Sequence, residues 1–208
     1  LAGAPEGELF TALARTVQQT GLPDKYLRDL LSAYRQDVTK SRYATWGTVA
    51  DYCHRSANPV GRIVLWLCGR REPELHQWSD AICTALQLTN FWQDLAIDLM
   101  EKDRCYLPRE ILGAHGVTET DLKSGVMSPG LRAAVAEAAG RTRALFETGR
   151  PLLDALDGLL GLEIRLTWLG GTSVLERIER PEYDPFRERP VLSRWDWTGL
   201  TVKALARR

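Results

Sequence analysis

The sequence has few cysteines, and their spacing does not match a disulfide or metal-binding pattern. Its 208 residues include four, which lie far apart with no CxxC pair. They are Cys53, Cys68, Cys83 and Cys105. This pattern argues against a disulfide framework and against a cysteine-based zinc site. We therefore expect reduced thiols in the core of a cytoplasmic protein.

The sequence also lacks a net charge and a long apolar run. Lysine and arginine together number 27, as do aspartate and glutamate, so the formal net charge is zero. A chain without a bulk basic field has no general attraction for nucleic acid, and we expect no such partner. The apolar run at residues 63–68 is far too short to cross a bilayer. The basic end at residues 203–208 could still hold the protein at the inner face of a membrane.

Alternating β-branched segments are absent as well, and this absence favours an all-α chain. Proline and glycine instead separate a succession of segments with helical apolar periodicity. Thr45 and Ser128 predict the N-caps of two helices, and Pro73 predicts the start of a long one. The Gly170–Gly171 pair predicts an interruption in a later apolar stretch. No repeat or linker divides the chain, so we expect a single all-α domain over residues 1–208.

A narrow polar stripe lies on a segment that is otherwise apolar. Winding residues 87–101 as a helix, at ~100° per residue, places five polar side chains within an arc of roughly 80°. They belong to Gln87, Asn90, Asp94, Asp98 and Glu101. A surface helix shows the opposite proportions, with a narrow apolar stripe and a broad polar face. We therefore expect the stripe to face an interior cavity.

Asp94 and Asp98 lie one helical turn apart, so their charges repel each other, and burial increases that cost. A bound cation would remove the conflict. The available donors are all oxygens, from the two carboxylates and the Asn90 amide, and this set favours Mg²⁺ before Ca²⁺. The alternative is a solvated face, or a polar seam between helices, that holds no metal.

Two strings in the chain resemble motifs of the squalene and phytoene synthase family. Residues 87–98, followed by Arg-Cys-Tyr-Leu-Pro at 104–108, resemble the family's second aspartate-rich motif. Residues 52–61 resemble its tyrosine-bearing helix. The strings at 56–61, 90–94, 162–167 and 189–193 are similar to the bacterial hydroxysqualene synthase branch, which belongs to hopanoid biosynthesis.

This resemblance implies an isoprenoid synthase fold, which is a helical bundle around a central cavity, and a Mg²⁺-dependent reaction of a prenyl diphosphate. In the hydroxysqualene branch, presqualene diphosphate ionises, rearranges and is trapped by water to give hydroxysqualene. Two alternatives remain open. One is the head-to-head condensation of two farnesyl diphosphates to presqualene diphosphate or squalene. The other is a non-catalytic subunit that binds a prenyl lipid or a sister synthase.

The resemblance also implies roles for the residues of the polar stripe. Asp94, Asp98 and Asn90 would hold the metal, and Gln87 would orient them from one turn earlier. Tyr52 joins the two aspartates as an expected catalytic residue. Its ring would face the carbocation, which an aromatic face stabilises by ~0.5–2 kcal/mol. The alternative for Tyr52 is a core tyrosine with a bonded hydroxyl.

Three further residues are expected to bind substrate. Gln93 could hydrogen-bond the diphosphate, although family members typically carry arginine there, which holds phosphate more strongly. Arg104 could supply a positive charge from the loop. Tyr183 could be a second cavity tyrosine, by the same resemblance. The alternative for Arg104 is that it clamps the loop to the long helix together with Tyr106.

The chain departs from the family pattern in one respect. Family members carry a first aspartate-rich motif on a helix that faces the second motif across the cavity. No such helix precedes the Tyr52 segment here. We therefore expect the N-terminal helices of the bundle to be missing from this chain, which would supply half of a metal site. Asp37 and Asp51 are isolated acids, and we assign neither of them to the missing motif.

Overall fold

Twelve α-helices follow one another along residues 7–206, the part of the chain that the computed structural model describes. They are α1 (Glu8–Thr20), α2 (Asp24–Asp37), α3 (Trp46–Ser56), α4 (Asn58–Leu67), α5 (Pro73–Gln93), α6 (Leu95–Lys102), α7 (Arg109–Ala114), α8 (Glu119–Lys123), α9 (Pro129–Gly149), α10 (Leu152–Ala155), α11 (Gly158–Ile178) and α12 (Arg194–Ala206). Over this range, β-type pairing is limited to one isolated bridge between Arg42 and Cys105. The prediction of an all-α fold is confirmed.

Local sequence signals determine where several helices begin. The Thr45 hydroxyl accepts a hydrogen bond from the Thr48 backbone N–H at 3.3 Å, and the Thr48 hydroxyl accepts one from the Thr45 N–H at 3.1 Å. This capping box starts α3. Ser128 accepts a hydrogen bond from the Leu131 N–H at 3.1 Å and starts α9. Pro73 is the first residue of α5. All three predicted starts are confirmed.

Helix α5 lies at the centre of the bundle, where it packs against α3, α4, α9, α10 and α11. Glycines on the neighbouring helices allow this close approach. A Cβ atom added to Gly171 would lie 2.5 Å from Leu86 Cδ2 and 2.8 Å from Phe146 Cζ. Gly170 and Gly171 therefore lie inside α11, and the predicted interruption is wrong. Gly171 provides room for packing, and this outweighs the low helix propensity of glycine.

The polar stripe does not lie on one unbroken helix. Helix α5 ends at Gln93, and Asp94, with φ −99° and ψ 11°, separates it from α6. The backbone N–H groups of Asp94 and Asp98 still donate to carbonyls four residues earlier, at 2.9 and 2.8 Å. Of the stripe residues, Asp98 is buried, Gln87 and Asp94 are partly buried, and Asn90 and Glu101 are exposed. The expectation of an inward-facing stripe is therefore wrong for Asn90 and Glu101.

The four cysteines are free thiols in different environments. Cys53 and Cys105 are buried, and Cys83 is partly buried. Cys68 is exposed at the end of α4, so the expectation of core thiols is wrong there.

A helix that crosses a bilayer must be both long and apolar. Between residues 7 and 206, none combines the length and the apolar character needed to cross a membrane. Lys203 lies on the exposed surface of α12, whereas Arg207 and Arg208 of the basic end lie outside the described residues.

Candidate active site

Four aromatic side chains form a buried group, here called the aromatic cluster. They are Tyr43, Tyr52, Phe91 and Tyr106. The Phe91 and Tyr106 rings stack in parallel, with 3.6 Å between their centroids. The Tyr52 ring lies 5.9 Å from the Phe91 ring and 5.7 Å from the Tyr106 ring. Aromatic faces attract positive charge, so this cluster could stabilise a cation placed against it.

The hydroxyl of Tyr52 is held by a carboxylate from α2. It donates a hydrogen bond to Asp37 Oδ2 at 2.7 Å. Burial, reinforced by this hydrogen bond, raises the pKa of Tyr52 far above its usual value. The side chain is therefore a neutral phenol whose proton points toward Asp37. Asp37 is one of the two isolated acids to which the sequence assigned no role.

Arg104 joins the segment after α6 to the end of α2. Its Nη2 donates to the backbone carbonyl of Asp37 at 2.5 Å, and its Nη1 donates to the Tyr106 hydroxyl at 3.4 Å. The clamp that the sequence suggested therefore exists, but it connects to α2 and not to the long helix. The guanidinium lies at the edge of the aromatic cluster, with its carbon 5.9 Å from the centre of the Tyr106 ring.

Asp94 and Asp98 are each paired with a basic side chain. Arg189, from the segment between α11 and α12, places its Nε 2.5 Å from Asp94 Oδ1. The Asn90 amide donates to the other oxygen of Asp94 at 2.8 Å. Lys102 Nζ lies 2.8 Å from Asp98 Oδ1. Hydrogen bonding to the carboxylates raises the pKa values of Arg189 and Lys102. Both basic groups therefore remain charged, and they offset the repulsion between the aspartates.

Mg²⁺ in proteins is held by oxygen atoms, and Asp94 and Asp98 offer carboxylate oxygens. Within residues 7–206, no group of three or more histidine, cysteine, aspartate or glutamate side chains is placed to hold a metal ion. Mg²⁺ is nevertheless commonly bound by one or two carboxylates together with water and substrate phosphates. Asp94 and Asp98 supply carboxylates of that kind, so they fit an ion shared with a diphosphate. They do not form a closed protein site.

Gln93 and Tyr183 both fasten the C-terminal segment to the end of α5. The Gln93 amide donates to the backbone carbonyl of Pro190. The Tyr183 hydroxyl donates to the backbone carbonyl of Trp92 at 3.0 Å. Tyr183 is buried and also borders a cavity of about 320 Å³, together with Arg189. Both side chains therefore help to position Arg189, a function that the sequence did not suggest.

Some of the contacts at the site could have been predicted from the sequence, and others could not. Gln87 is partly buried, and its side chain has no hydrogen-bond partner among the described residues. Lys102 follows Asp98 by four residues, so helical spacing could have identified their ion pair. Arg189 lies 95 residues from Asp94, so no helical spacing links the two. Its only signal in the sequence is the similarity of residues 189–193 to the hydroxysqualene branch. No sequence pattern pointed to Asp37.

The fold belongs to the isoprenoid synthase class. The crystal structure of a dehydrosqualene synthase covers 97% of this chain, and this chain covers 71% of it, with a TM-score of 0.80 and 21% identity. The crystal structure of squalene synthase HpnC from Alicyclobacillus acidocaldarius also gives a TM-score of 0.80, at 39% identity. In that comparison, 85% of this chain and 66% of the other are covered.

Sequence comparison identifies the family. Residues 2–196 match squalene/phytoene synthase, and the chain belongs to this family. Hydroxysqualene synthase of Rhodopseudomonas palustris is 38% identical over 178 residues, which are 85% of this chain and 60% of that protein. Phytoene synthase of Thermus thermophilus is 31% identical over 207 residues, which are 97% of this chain and 69% of that protein. The chain thus spans about 60% of the length of the hydroxysqualene synthase it matches.

Proposed function

We propose that the protein is a Mg²⁺-dependent isoprenoid synthase that ionises presqualene diphosphate and traps the rearranged cation with water, giving hydroxysqualene. The family match supports a reaction of a prenyl diphosphate. The similarity to hydroxysqualene synthases of Rhodopseudomonas palustris and Zymomonas mobilis, at 38% and 36% identity, supports the choice of reaction.

The proposal depends most on one observation: an aromatic side chain and two carboxylates follow one another closely at the end of α5. Phe91 belongs to the aromatic cluster, and Asp94 follows it within one turn. Asp98 comes one turn later and is buried. A diphosphate held at the two carboxylates would therefore leave its hydrocarbon next to aromatic faces that can stabilise the resulting cation.

The charges at the carboxylates suit the departure of a diphosphate. When bound to Asp94 and Asp98, Mg²⁺ would neutralise charge on the leaving oxygens. Arg189 and Lys102 would then be released from their carboxylate partners and could donate to phosphate oxygens. Arg189 can bind phosphate through two N–H groups. It therefore supplies the positive charge that Gln93, in the usual position of an arginine, lacks.

The aromatic cluster would determine what happens to the cation. Tyr52, Phe91 and Tyr106 lie close together, with Phe91 and Tyr106 stacked on each other. A cation would be stabilised by the ring faces that this stack leaves uncovered. Tyr52 also has an oxygen that can accept a hydrogen bond from a water molecule, because its own proton is directed at Asp37. A water held there would add to the cation and form the alcohol.

A second candidate is the condensation of two farnesyl diphosphates to presqualene diphosphate or squalene. The observation in its favour is the solved structure at 39% identity that carries the name squalene synthase. This reaction would use the same carboxylates and the same aromatic cluster. The two candidates therefore differ in substrate and product and not in the site.

The products distinguish these candidates. The purified chain is incubated with Mg²⁺ and either presqualene diphosphate or farnesyl diphosphate, and the products are identified by gas chromatography and mass spectrometry. We expect hydroxysqualene from presqualene diphosphate, and no reaction when a chelator removes Mg²⁺. Presqualene diphosphate or squalene formed from farnesyl diphosphate would support the second candidate. If neither substrate releases diphosphate, a catalytic role for this chain is wrong and a non-catalytic subunit is favoured.

A further inference from the structure

The carboxylate of Asp37 differs from the other two carboxylates of the site. Asp94 and Asp98 each face a basic side chain, whereas in the described part of the chain no basic side chain forms a salt bridge with Asp37. Arg104 contacts Asp37 through the backbone carbonyl only. The Oδ2 atom of Asp37 accepts the Tyr52 hydroxyl proton at 2.7 Å, and its Oδ1 atom is buried with no hydrogen-bond partner. Asp37 therefore meets the site through one oxygen, which contacts Tyr52, and no basic side chain competes for that oxygen in the described part of the chain.

Tyr52 cannot remove a proton from water without such a neighbour. Its hydroxyl is buried among the rings of the aromatic cluster, and burial raises its pKa so that it does not act as a phenolate. A neutral phenol oxygen is a weak base. It can take a proton from an adding water only if its own proton leaves in the same step. The short hydrogen bond to Asp37 provides the path for that proton.

Building on the proposed function, we propose that Asp37 is the proton acceptor behind Tyr52 in the step that forms the alcohol. The diphosphate has already left with its bonding electron pair. As the oxygen of a water molecule bonds to the cationic carbon, that water gives one proton to the Tyr52 oxygen. Tyr52 gives its hydroxyl proton to Asp37 Oδ2. The products are the neutral alcohol, an unchanged tyrosine and a neutral carboxylic acid.

The backbone around Asp37 supports a fixed position for this carboxylate. Asp37 is the last residue of α2, and its carbonyl is held by Arg104. One residue earlier, Gln36 donates to the Tyr43 hydroxyl at 3.2 Å. These contacts do not involve the Asp37 side chain. Replacing its carboxylate by an amide of the same shape should therefore remove the base that accepts the proton, while α2 stays in place.

The test compares Asp37→Asn, Tyr52→Phe and the double variant, with Asp24→Asn as the control. Asp24 is the first residue of the same helix, at the opposite end from Asp37, and pairs with Arg28 at the surface. The rate of diphosphate release and the ratio of alcohol to hydrocarbon products from presqualene diphosphate are measured. We expect Asp37→Asn to lower alcohol formation roughly 10²-fold. Diphosphate release should change much less, because ionisation precedes the proton transfer.

The double variant shows whether Asp37 acts through Tyr52. We expect it to match Tyr52→Phe alone, because both changes interrupt one proton path. Additive losses would overturn the proposal, and so would an unchanged product ratio in Asp37→Asn. If the wild-type chain forms no alcohol at all, the proposed function is wrong and this inference is lost with it. If the wild type forms the alcohol and Asp37→Asn forms it equally well, only the role of Asp37 is wrong.

A spectroscopic measurement tests the pairing without turnover. The chain is labelled with [¹³Cζ]tyrosine, and the Tyr52 signal is assigned as the one missing in Tyr52→Phe. We expect this signal to shift in Asp37→Asn and to remain in place in Asp24→Asn, since only the first change alters the partner of the hydroxyl. An unshifted signal in Asp37→Asn would overturn the proposal.

Discussion

Asp94 and Asp98 differ in the contacts that hold them, although both belong to the same polar stripe. Asp94 lies at the break between two helices, where Asn90 and Arg189 reach its two oxygens. Asp98 lies inside α6, is buried, and bonds Lys102 on the same helix. Asp94 therefore joins a distant segment to the site, whereas Asp98 is balanced locally. This difference makes Asp94 the more informative position for substitution.

We expect Asp94→Asn to lower turnover of the prenyl diphosphate at least ~10²-fold, as is typical when one electrostatic stabiliser of a transition state is lost. The amide keeps the shape of the side chain but removes the charge that would hold Mg²⁺. Turnover is measured at saturating Mg²⁺, and circular dichroism checks that the variant is folded. Glu101→Gln is the control, because Glu101 lies on the same stripe and is exposed. A rate close to wild type in Asp94→Asn would rule out its metal-binding role.

For single residues, the sequence predicts contacts between neighbours on one helix, but it does not predict contacts between distant segments. The separation of Asp94 and Asp98 by four residues predicted that they lie one turn apart, and the same spacing reaches Lys102. The contact between Arg189 and Asp94 depends on the path of the chain after α11, which local patterns do not determine. Asp37 meets Tyr52 because α2 packs against α3, and a single aspartate leaves no periodic signal.

The bounds of the helices are also only partly predictable, because the same residues in a sequence can have two different structural roles. Thr45 and Ser128 mark helix starts through hydrogen bonds to neighbouring N–H groups, so the sequence is sufficient to predict them. Glycine pairs are ambiguous. Gly170 and Gly171 could end a helix or allow another helix to approach. Gly171 takes the second role because it meets Leu86 and Phe146, which are distant from it in sequence.

Two glycines on α9 allow a matched test of close helix packing. A Cβ atom on Gly149 would lie 2.7 Å from the Trp78 backbone oxygen and 2.4 Å from Ile82 Cγ1. The backbone cannot give way easily, so we expect Gly149→Ala to destabilise the fold by about 1–3 kcal/mol. A Cβ atom on Gly140 meets nothing within 4 Å. Gly140→Ala should therefore stabilise the helix by about 0.5–1 kcal/mol.

The free energy of unfolding in urea measures both variants. Opposite signs are expected for the same substitution on one helix, which separates the packing cost from helix propensity. If Gly149→Ala were as stable as the wild type, α9 and α5 would be further apart than described, and the arrangement around the centre of the bundle would need revision.

Taken as a whole, the molecule builds its candidate site from three separate parts of the chain. Asp37 and Tyr52 come from α2 and α3, Phe91 and the two aspartates come from α5 and α6, and Arg189 comes from the C-terminal segment. Helix α12 begins at Arg194, a short segment after Arg189, and packs against α11. The position of Arg189 therefore depends on how firmly this last helix is attached to the bundle.

The attachment of α12 depends on an acidic group, which makes it sensitive to low pH. Asp196 accepts hydrogen bonds from the Ser193 hydroxyl at 2.7 Å and from Arg177 of α11, also at 2.7 Å. These contacts, the Ser193 hydrogen bond above all, lower the pKa of Asp196 from 3.8 to about 2. A carboxyl whose pKa is lower in the folded state than in the unfolded state stabilises the fold above its ordinary pKa. That contribution is lost as the pH falls toward the folded-state pKa.

We therefore expect the thermal midpoint of the wild-type chain to fall between pH 4 and pH 2 partly because Asp196 becomes protonated. The Asp196→Asn variant should have a lower midpoint than the wild type at pH 7 and a shallower decline between pH 4 and pH 2. Scanning calorimetry at several pH values measures both effects. Asp154→Asn is the control, because Asp154 is exposed and forms no salt bridge in the described part of the chain. Its decline should follow the wild type. If Asp196→Asn declined as steeply as the wild type, other carboxyls would account for the acid sensitivity, and the link from α11 through α12 to Arg189 would be weaker than the contacts indicate.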